Sequence, residues 1–310
     1  MNIDFHAHWT SPGFAALLEK KGVSWSHQHP ETLDARLDAL AAAGIDRQVL
    51  SLPGLANIDS LPVGQAAPLV RGFNESVSEA VETRPDRFAG LASLPHSDLD
   101  AALAELEHAH RNLGLRGAIL PVDAFYDRAT VDRLAPLFAA GEQFGSHFFI
   151  HPGAFHGAPV PALRLDAKGD AALRAGVELQ TRITQAWITL TRTDFLEAYP
   201  SVTIQLANLG GVLPFLLERL EHQAARRGGE PVRPPLRRVY LDTASFGPEA
   251  IGLTARLIGS DRLVFGTDHP IFPLQPTRDG FAAARLSDAE RKEILAGNGL
   301  DLFAAVPAAA

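Results

Sequence analysis

Short apolar runs alternate along the chain with longer stretches in which apolar residues recur every three or four positions. Short runs bounded by turn residues are typical of strands, and the longer spacing is typical of amphipathic helices. The pattern predicts strands at Ile3–Phe5, Gln48–Leu52, Phe88–Ala92, Gly117–Leu120, His147–Ile150, Val202–Leu206, Val239–Leu241 and Leu263–Phe265. Predicted helices between them include Leu33–Ala43, Val70–Glu82, Leu99–Asn112, Val131–Phe144 and Leu213–Gln223. Strands that alternate with helices predict parallel βαβ units.

Eight strand and helix repeats favour a closed (β/α)8 barrel, the TIM barrel, over an open sheet. The first predicted strand is not followed by the Gly-x-Gly-x-x-Gly loop of dinucleotide-binding sheets. Barrels of this class take about 250 residues as one unit, so the 310 residues predict a single domain over 1–310. Two irregular connections, at about 10–30 and 155–170, are predicted loop insertions that overhang the carboxyl ends of the strands.

Composition narrows the choice of partners. The chain has 28 basic and 36 acidic residues and a net charge of −8, which argues against nucleic acid as a partner. It has no cysteine, so any metal ion must be held by nitrogen and oxygen donors. No run reaches the roughly 18 apolar residues of a membrane span, and the first residues do not resemble a signal peptide. We therefore expect a cytoplasmic protein without a membrane partner.

Three of the predicted strands end at potential metal ligands. His6 and His8 alternate at the end of the first strand, so both imidazoles point to the same side. His151 ends the fifth strand, and Asp268 follows the eighth. The carboxyl ends of barrel strands form the face that carries active sites. Three imidazoles and one carboxylate predict a site for Zn²⁺, with Mn²⁺ or Fe²⁺ as alternatives. The plainer alternatives are packing histidines and a turn-forming aspartate.

Other polar residues receive weaker interpretations. His156, five residues beyond His151, could reach the pocket on its loop and is a candidate for contact with the substrate. Asp242 and Arg36 are interpreted as structural residues, with Arg36 at the start of the exposed side of a helix. His110 is expected to be solvated on a charged helix.

Seven motifs occur in the order in which they occur in the amidohydrolase superfamily. The chain resembles the branch of that superfamily that contains aminocarboxymuconate semialdehyde decarboxylase and related aromatic decarboxylases. The motifs are Ile3-Asp4-Phe5-His6-Ala7-His8, Pro85-Asp86-Arg87-Phe88 through Leu94-Pro95, Leu113-Gly114-Leu115-Arg116-Gly117, His151-Pro152-Gly153, Leu209-Gly210-Gly211 with Pro214, Gly266-Thr267-Asp268-His269-Pro270 and Gly297-Asn298.

The resemblance implies a Zn²⁺-dependent barrel that removes CO₂ from a small aromatic or conjugated carboxylic acid without an organic cofactor. It also implies a homodimer. The metal ligands would be His6, His8, His151 and Asp268, and Asp268 would also transfer a proton. The leading alternative is a metal-dependent hydrolase or hydratase that acts on a lactone, an amide or a ring-cleavage product. A third is a barrel that binds a ligand without catalysis.

One motif departs from the family pattern. Relatives usually have His-x-Gly-Gly after the sixth strand, whereas this chain has Asn208-Leu209-Gly210-Gly211. An amide can orient a water or a substrate oxygen, but it cannot accept and return a proton near neutral pH. Asn208 is therefore a candidate for orienting the substrate, and hydrolysis by a base-activated water is disfavoured. Asp268, Asn208 and His156 form the predicted catalytic set.

Overall fold

The computed structural model describes residues 1–23, 29–52, 58, 61–161, 168–229, 238–244, 246–296 and 298. Strands and helices alternate along it. The strands are β1 (Ile3–His8), β2 (Arg47–Ser51), β3 (Phe88–Gly90), β4 (Gly117–Pro121), β5 (His147–His151), β6 (Thr203–Leu206), β7 (Val239–Asp242) and β8 (Leu263–Val264). The helices are α1 (Pro12–Lys20), α2 (Leu33–Ala43), α3 (Val63–Thr83), α4 (Leu99–Asn112), α5 (Arg128–Asp132), α6 (Ala135–Phe144), α7 (Asp170–Arg192), α8 (Leu213–Arg226), α9 (Pro248–Ile258), α10 (Leu274–Ala283) and α11 (Asp288–Ala296).

The strands pair in parallel and in chain order. β1, β2 and β3 form one sheet, and β4 to β8 form a second. Isolated parallel bridges join the sheets at both seams, Ala92 with Ala118 and Ala7 with His269. At the β8–β1 seam the Phe5 amide also donates to the Phe265 carbonyl at 2.8 Å. The architecture is that of a TIM barrel, so the predicted fold class is confirmed.

Local sequence signals explain where several helices begin and end. The Thr32 hydroxyl accepts from the Ala35 amide at 3.3 Å and caps the start of α2. That helix ends at Gly44, whose φ of 65° is a conformation that glycine adopts without a steric penalty. Asp98 caps α4 in the same way through the Ala101 amide. These two helices have the bounds that the apolar spacing predicts.

Polar side chains cross the interior of the barrel between the apolar strand residues. Every residue of β5 is buried, as expected for a parallel strand covered on both faces. Asp4 on β1 is also fully buried, and its carboxylate accepts from Gln48 Nε2 at 2.7 Å and from Thr267 Oγ1 at 2.6 Å. These bonds link β1 to β2 and to the turn after β8. The same turn carries Asp268, so the network helps to hold that residue in place.

Two interpretations from the sequence are wrong in their placement. Arg36 is fully buried rather than exposed, and its guanidinium donates to Glu31, to Gln48 and to the His8 carbonyl. Its interpretation as a structural residue agrees with these contacts. His110 is only partly accessible and stacks on Phe144, with 4.6 Å between ring centroids. Burial, with Arg116 nearby, lowers the pKa of His110 to about 4.

The predicted insertion at 10–30 contains a regular helix, α1, and is therefore not irregular throughout. Residues 24–28 of this insertion, residues 162–167 of the second and Gly297 of the last motif lie outside the described residues. Among the described residues, the helices are all too short or too polar to cross a membrane. The single domain over 1–310 stays a prediction.

Candidate metal centre

Four predicted ligands meet at the carboxyl ends of the strands. His6 and His8 come from β1, His151 from the end of β5 and Asp268 from the turn after β8. The Nε2 atom of His8 lies 3.3 Å from that of His6 and 3.1 Å from that of His151. Asp268 Oδ1 lies 3.2 Å from His8 Nε2 and 3.4 Å from His6 Nε2. All four ligand atoms lie within 4.8 Å of one another, and all four residues are buried.

Each of the three imidazoles has an acceptor at its other ring nitrogen. The acceptors are Asp242 Oδ2 for His6 at 3.0 Å, Ser51 Oγ for His8 at 3.0 Å and the Pro152 carbonyl for His151 at 3.1 Å. The Ser51 hydroxyl acts as an acceptor because its own proton is donated to the Ala7 carbonyl. These contacts place a proton on every Nδ1, so in a neutral ring the Nε2 atom carries a lone pair.

This arrangement fits a divalent cation. Three imidazole lone pairs and a carboxylate oxygen face one point at separations close to contact, and such atoms repel one another unless a cation lies between them. Three nitrogen donors and one carboxylate oxygen suit Zn²⁺, Mn²⁺ or Fe²⁺. The donor set that the sequence predicts is therefore one that can hold these ions.

The charges around the centre differ from residue to residue. Burial alone lowers the pKa of His6, but the carboxylates of Asp242 and Asp268 outweigh it and raise that pKa to about 10. Burial lowers the pKa of both His8 and His151. Burial raises the pKa of Asp268, but His6 and His8 outweigh it and hold it well below its usual value. Burial thus favours neutral rings at His8 and His151, whereas the neighbouring histidines favour an anionic Asp268.

Left-handed backbone conformations occur at two of the predicted catalytic residues. Asp268 has a φ of 58°, and Asn208 and Leu209 have φ values of 56° and 54°. Such values cost up to about 1–3 kcal/mol outside glycine, although Asn and Asp tolerate them best, and they cluster at functional sites. Asn208 is buried, and its Nδ2 donates to the Ala244 carbonyl at 3.2 Å.

His156 lies apart from this arrangement. Its side chain is exposed, it does not belong to the group of four ligands, and its carbonyl accepts from Arg133 Nη1 at 2.9 Å. Its role in substrate contact stays a prediction. Asp242, in contrast, contacts a predicted ligand directly although the sequence suggested only a structural role. The signal was its position at the carboxyl end of β7, which parallels that of His151 on β5.

Comparisons with known proteins agree with this geometry. The family model described as Amidohydrolase matches residues 3–304. A gamma-resorcylate decarboxylase of Rhodococcus jostii (strain RHA1) is 28% identical over 314 residues, covering 91% of each chain. A 2-amino-3-carboxymuconate-6-semialdehyde decarboxylase of Dictyostelium discoideum is 26% identical over 285 residues, covering 88% of this chain and 77% of that protein.

A solved structure matches the fold over nearly the whole chain. It is a dihydroxybenzoic acid decarboxylase from Polaromonas sp. JS666 with bound manganese and the inhibitor 2-nitroresorcinol. Its TM-score is 0.74 at 25% identity, covering 97% of this chain and 96% of that one. Because the family match extends from β1 past α11 and includes all four predicted ligands, this chain belongs to the amidohydrolase family.

Proposed function

We propose that this chain is a metal-dependent, non-oxidative decarboxylase of a small aromatic acid that carries a hydroxyl group. The observation that carries the proposal is the group of four buried ligand atoms at the carboxyl ends of the strands. The two relatives described above support the reaction, since both are named decarboxylases.

The metal ligands in this proposal are His6, His8, His151 and Asp268. Zn²⁺ is the first choice, and Mn²⁺ is the alternative that the manganese-bound dihydroxybenzoic acid decarboxylase supports. When bound, a divalent cation supplies Lewis-acid stabilisation of the substrate oxygens. The proposal needs no organic cofactor.

Asp268 is proposed to transfer the proton that replaces the carboxyl group. It is anionic beside the histidines, so it must gain a proton before it can give one. A hydroxyl beside the carboxylate of the substrate supplies this proton and leaves a phenolate. Asp268 then protonates the ring carbon that bears the carboxylate, the C–C bond breaks, CO₂ leaves and its electron pair restores the aromatic ring. Water then protonates the phenolate product.

Asn208 is proposed to orient the substrate by hydrogen bonds. Its backbone is held by Asp242 Oδ1, which accepts from the Asn208 amide at 3.0 Å. Because an amide side chain does not exchange protons near neutral pH, it cannot serve as the base that activates a water. This difference from the usual histidine favours decarboxylation over the hydrolase or hydratase alternative.

The test is the release of CO₂ from a panel of hydroxybenzoates, run beside a panel of lactones and amides. We expect CO₂ from the first panel and no turnover of the second. Asp268→Asn should abolish turnover while some metal is retained. Asp98→Asn is the matched control, because Asn caps a helix as well as Asp does and α4 should be unaffected. Hydrolysis without CO₂ release, or full activity in Asp268→Asn, would contradict the proposal.

Further features stay proposals beside this function. A homodimer is supported by the exposed apolar side chains of Leu173, Val177 and Phe215 on α7 and α8, and the molar mass in solution tests it. A cytoplasmic location, a single domain over 1–310 and a substrate contact by His156 are predictions from the sequence. His156→Ala would change KM for the aromatic acid if the last of these is correct.

A further inference from the structure

We propose that Asp242 is a positioning residue that fixes two parts of the site at once, the metal-binding form of His6 and the backbone of Asn208. One half of this inference, the effect on metal binding, is independent of the reaction. The other half, the effect on turnover, rests on the proposed decarboxylase function.

The Asp242 carboxylate is fully buried and accepts from four donors. The contacts of Oδ2 are Gln205 Nε2 at 2.7 Å and His6 Nδ1 at 3.0 Å. The contacts of Oδ1 are the amides of Asn208 at 3.0 Å and Ala244 at 3.1 Å. Each oxygen therefore has two partners, one oxygen facing the metal ligand and the other facing the turn after β6. A neutral or shorter side chain cannot satisfy both sets.

Gln205 holds Asp242 Oδ2 in place as the acceptor for His6. Gln205 Nε2 lies between two acceptors, Asp242 Oδ2 and the Phe5 carbonyl at 3.2 Å, so it is the donor end of the amide. Asp242 Oδ2 accepts this bond and, as a carboxylate, can only accept from His6 as well. His6 therefore holds its proton on Nδ1. Its Nε2 atom is left to bind a metal ion.

Hydrogen bonds extend this arrangement across the barrel. Gln205 Oε1 accepts from His147 Nε2 at 3.3 Å, and His147 Nδ1 contacts Thr203 Oγ1 at 2.9 Å. His147 begins β5, whereas the ligand His151 ends it, so the contacts run from one end of the strands to the other. We name His147, Gln205, Asp242 and His6 the barrel chain. Its members fix the direction of each successive hydrogen bond.

The second oxygen of Asp242 holds a strained turn. Asn208 and Leu209 are both left-handed, and Asp242 Oδ1 binds the Asn208 amide at the start of this turn. The Ala244 amide binds the same oxygen, and the Ala244 carbonyl accepts from Asn208 Nδ2. Asp242 thus holds both the backbone of Asn208 and the residue that orients its side chain. Of the two Asp242 oxygens, Gln205 bonds to Oδ2, the one on the His6 side.

This asymmetry gives two variants with different expected results. In Asp242→Asn, the single amide oxygen can serve only one of the two sets of donors, so both His6 and the Asn208 turn are disturbed. In Gln205→Met, a side chain of similar size removes the hydrogen bond on the His6 side and leaves Asp242 Oδ1 in place. Glu105→Gln is the matched control, because Glu105 is a buried carboxylate on α4 that accepts from Asn74 at 2.7 Å.

The first experiment measures the affinity of chelator-stripped full-length protein for Zn²⁺ by competition with a coloured chelator. We expect the affinity to fall about 10–100-fold in Asp242→Asn, as is typical when a partner of a metal ligand is lost. The fall should be smaller, though measurable, in Gln205→Met, and Glu105→Gln should bind as the wild type does. Wild-type Zn²⁺ affinity in Gln205→Met would contradict the proposal that the barrel chain supports metal binding by His6. This variant provides the test if Asp242→Asn does not fold.

The second experiment records ¹⁵N spectra of metal-free protein labelled at histidine, with His6→Gln used to assign the signal. His6 Nδ1 should carry a proton in the wild type, and its signal should shift toward that of an unprotonated ring nitrogen in Asp242→Asn. An unchanged His6 signal in that variant would overturn the proposal. This readout does not depend on the substrate.

The third experiment compares decarboxylation under saturating Zn²⁺. Gln205→Met should regain most of its kcat because only metal affinity is weakened, whereas Asp242→Asn should remain impaired because the Asn208 turn is disturbed as well. Full recovery of Asp242→Asn would overturn the coupling to Asn208. A wild type that binds Zn²⁺ but releases no CO₂ would contradict the proposed function alone, since the affinity and ¹⁵N results would stand.

Discussion

Two buried polar clusters in this molecule differ in how their atoms are matched. In the cluster around Glu105, between α3 and α4, donors face acceptors, with Asn74 Nδ2 at 2.7 Å and Arg71 Nη2 at 2.6 Å from the carboxylate. In the metal centre, three imidazole nitrogens and the Asp268 carboxylate oxygen lie together. In the Glu105 cluster the hydrogen-bond donors and acceptors pair with one another. The second is stable only when something positive lies among its atoms, which is how a binding site differs from a structural ion pair.

The two clusters also differ in the backbone conformation of their residues. Asn74 and Glu105 lie within regular helices, α3 and α4. Asp268 and Asn208 lie in turns with positive φ. The Asp268 amide donates to the His6 carbonyl and the Asn208 amide donates to Asp242, and these two hydrogen bonds hold the turns. Strain of this kind persists only where the surroundings enforce it. The comparison therefore predicts that changes in the metal centre affect function more than stability, and changes around Glu105 the reverse.

Removal of one ligand should produce the largest effect. His151→Ala should leave almost no bound metal and lower decarboxylase activity by more than about 100-fold, because losing a ligand exceeds the 10–100-fold cost of losing its partners. Metal analysis and CO₂ release measure this. His222→Ala, at an exposed position on α8, is the control and should behave as the wild type. If His151→Ala kept its activity and metal content, the distinction between a metal-binding cluster and a structural one would be wrong.

Metal addition should stabilise the stripped protein. An ion that binds only the folded state raises the free energy of unfolding by about 2.7 kcal/mol when the concentration of free ion is 100 times its Kd. Urea unfolding with and without Zn²⁺ should show a gain of this order in the wild type and in Glu105→Gln, but not in His151→Ala. An equal gain in His151→Ala would place the stabilising ion elsewhere.

Acid should destabilise the fold through histidines outside the metal centre. Burial lowers the pKa of both His96 and His147 to about 4. Between the unfolded value of about 6.5 and this value the unfolded state binds protons that the folded state does not, so the free energy of unfolding falls as the pH falls. The loss approaches about 3 kcal/mol for each residue at the acid end of this window.

Urea unfolding of the stripped protein from about pH 7.5 to 5 measures this slope without a contribution from metal release. His96→Gln should flatten the slope, since an amide does not titrate in this range. A slope equal to that of the wild type in His96→Gln would exclude His96 as a cause.

The smallest effect is expected at the cluster around Glu105. Glu105→Gln keeps the shape of the side chain but weakens its contacts with Asn74 and the partly exposed Arg71, so the free energy of unfolding should fall by about 1–3 kcal/mol. Urea unfolding measures this loss. Zn²⁺ affinity and kcat should stay at the wild-type values, and a fall in either would show that the two clusters are coupled.

The strand order and the candidate ligand set could be predicted because both depend on local pattern. The apolar runs that predict β1, β5 and β8 stop at His6, His8, His151 and Asp268, and a parallel barrel brings such strand ends to one face. Helices α2 and α4 have the bounds that the apolar spacing predicts, and in the structure Thr32 and Asp98 cap their first turns. Helix α1 was missed, since it lies in a stretch that was interpreted as an irregular insertion.

Burial and pairing over long distances could not be predicted in the same way. Arg36 appeared to lie on the exposed side of α2, yet it is buried because Glu31, Gln48 and the His8 carbonyl surround its guanidinium. His110 appeared to be solvated, but its ring packs on Phe144 and its Nε2 lies 2.7 Å from Ser146 Oγ. Each of these environments depends on residues that are distant in the chain or on a neighbouring helix.

The sequence alone determined the alternation of strands and helices and the identity of the four candidate ligands, since periodicity and strand-end position are local properties. Only the folded arrangement decided which nitrogen of each imidazole faces the centre, because that depends on Asp242, Ser51 and the Pro152 carbonyl as acceptors. It also decided that the Asp242 carboxylate lies between His6 and Asn208. Positions 6, 208 and 242 meet only when β1, β6 and β7 are in place, and a hydrogen bond exists only at contact.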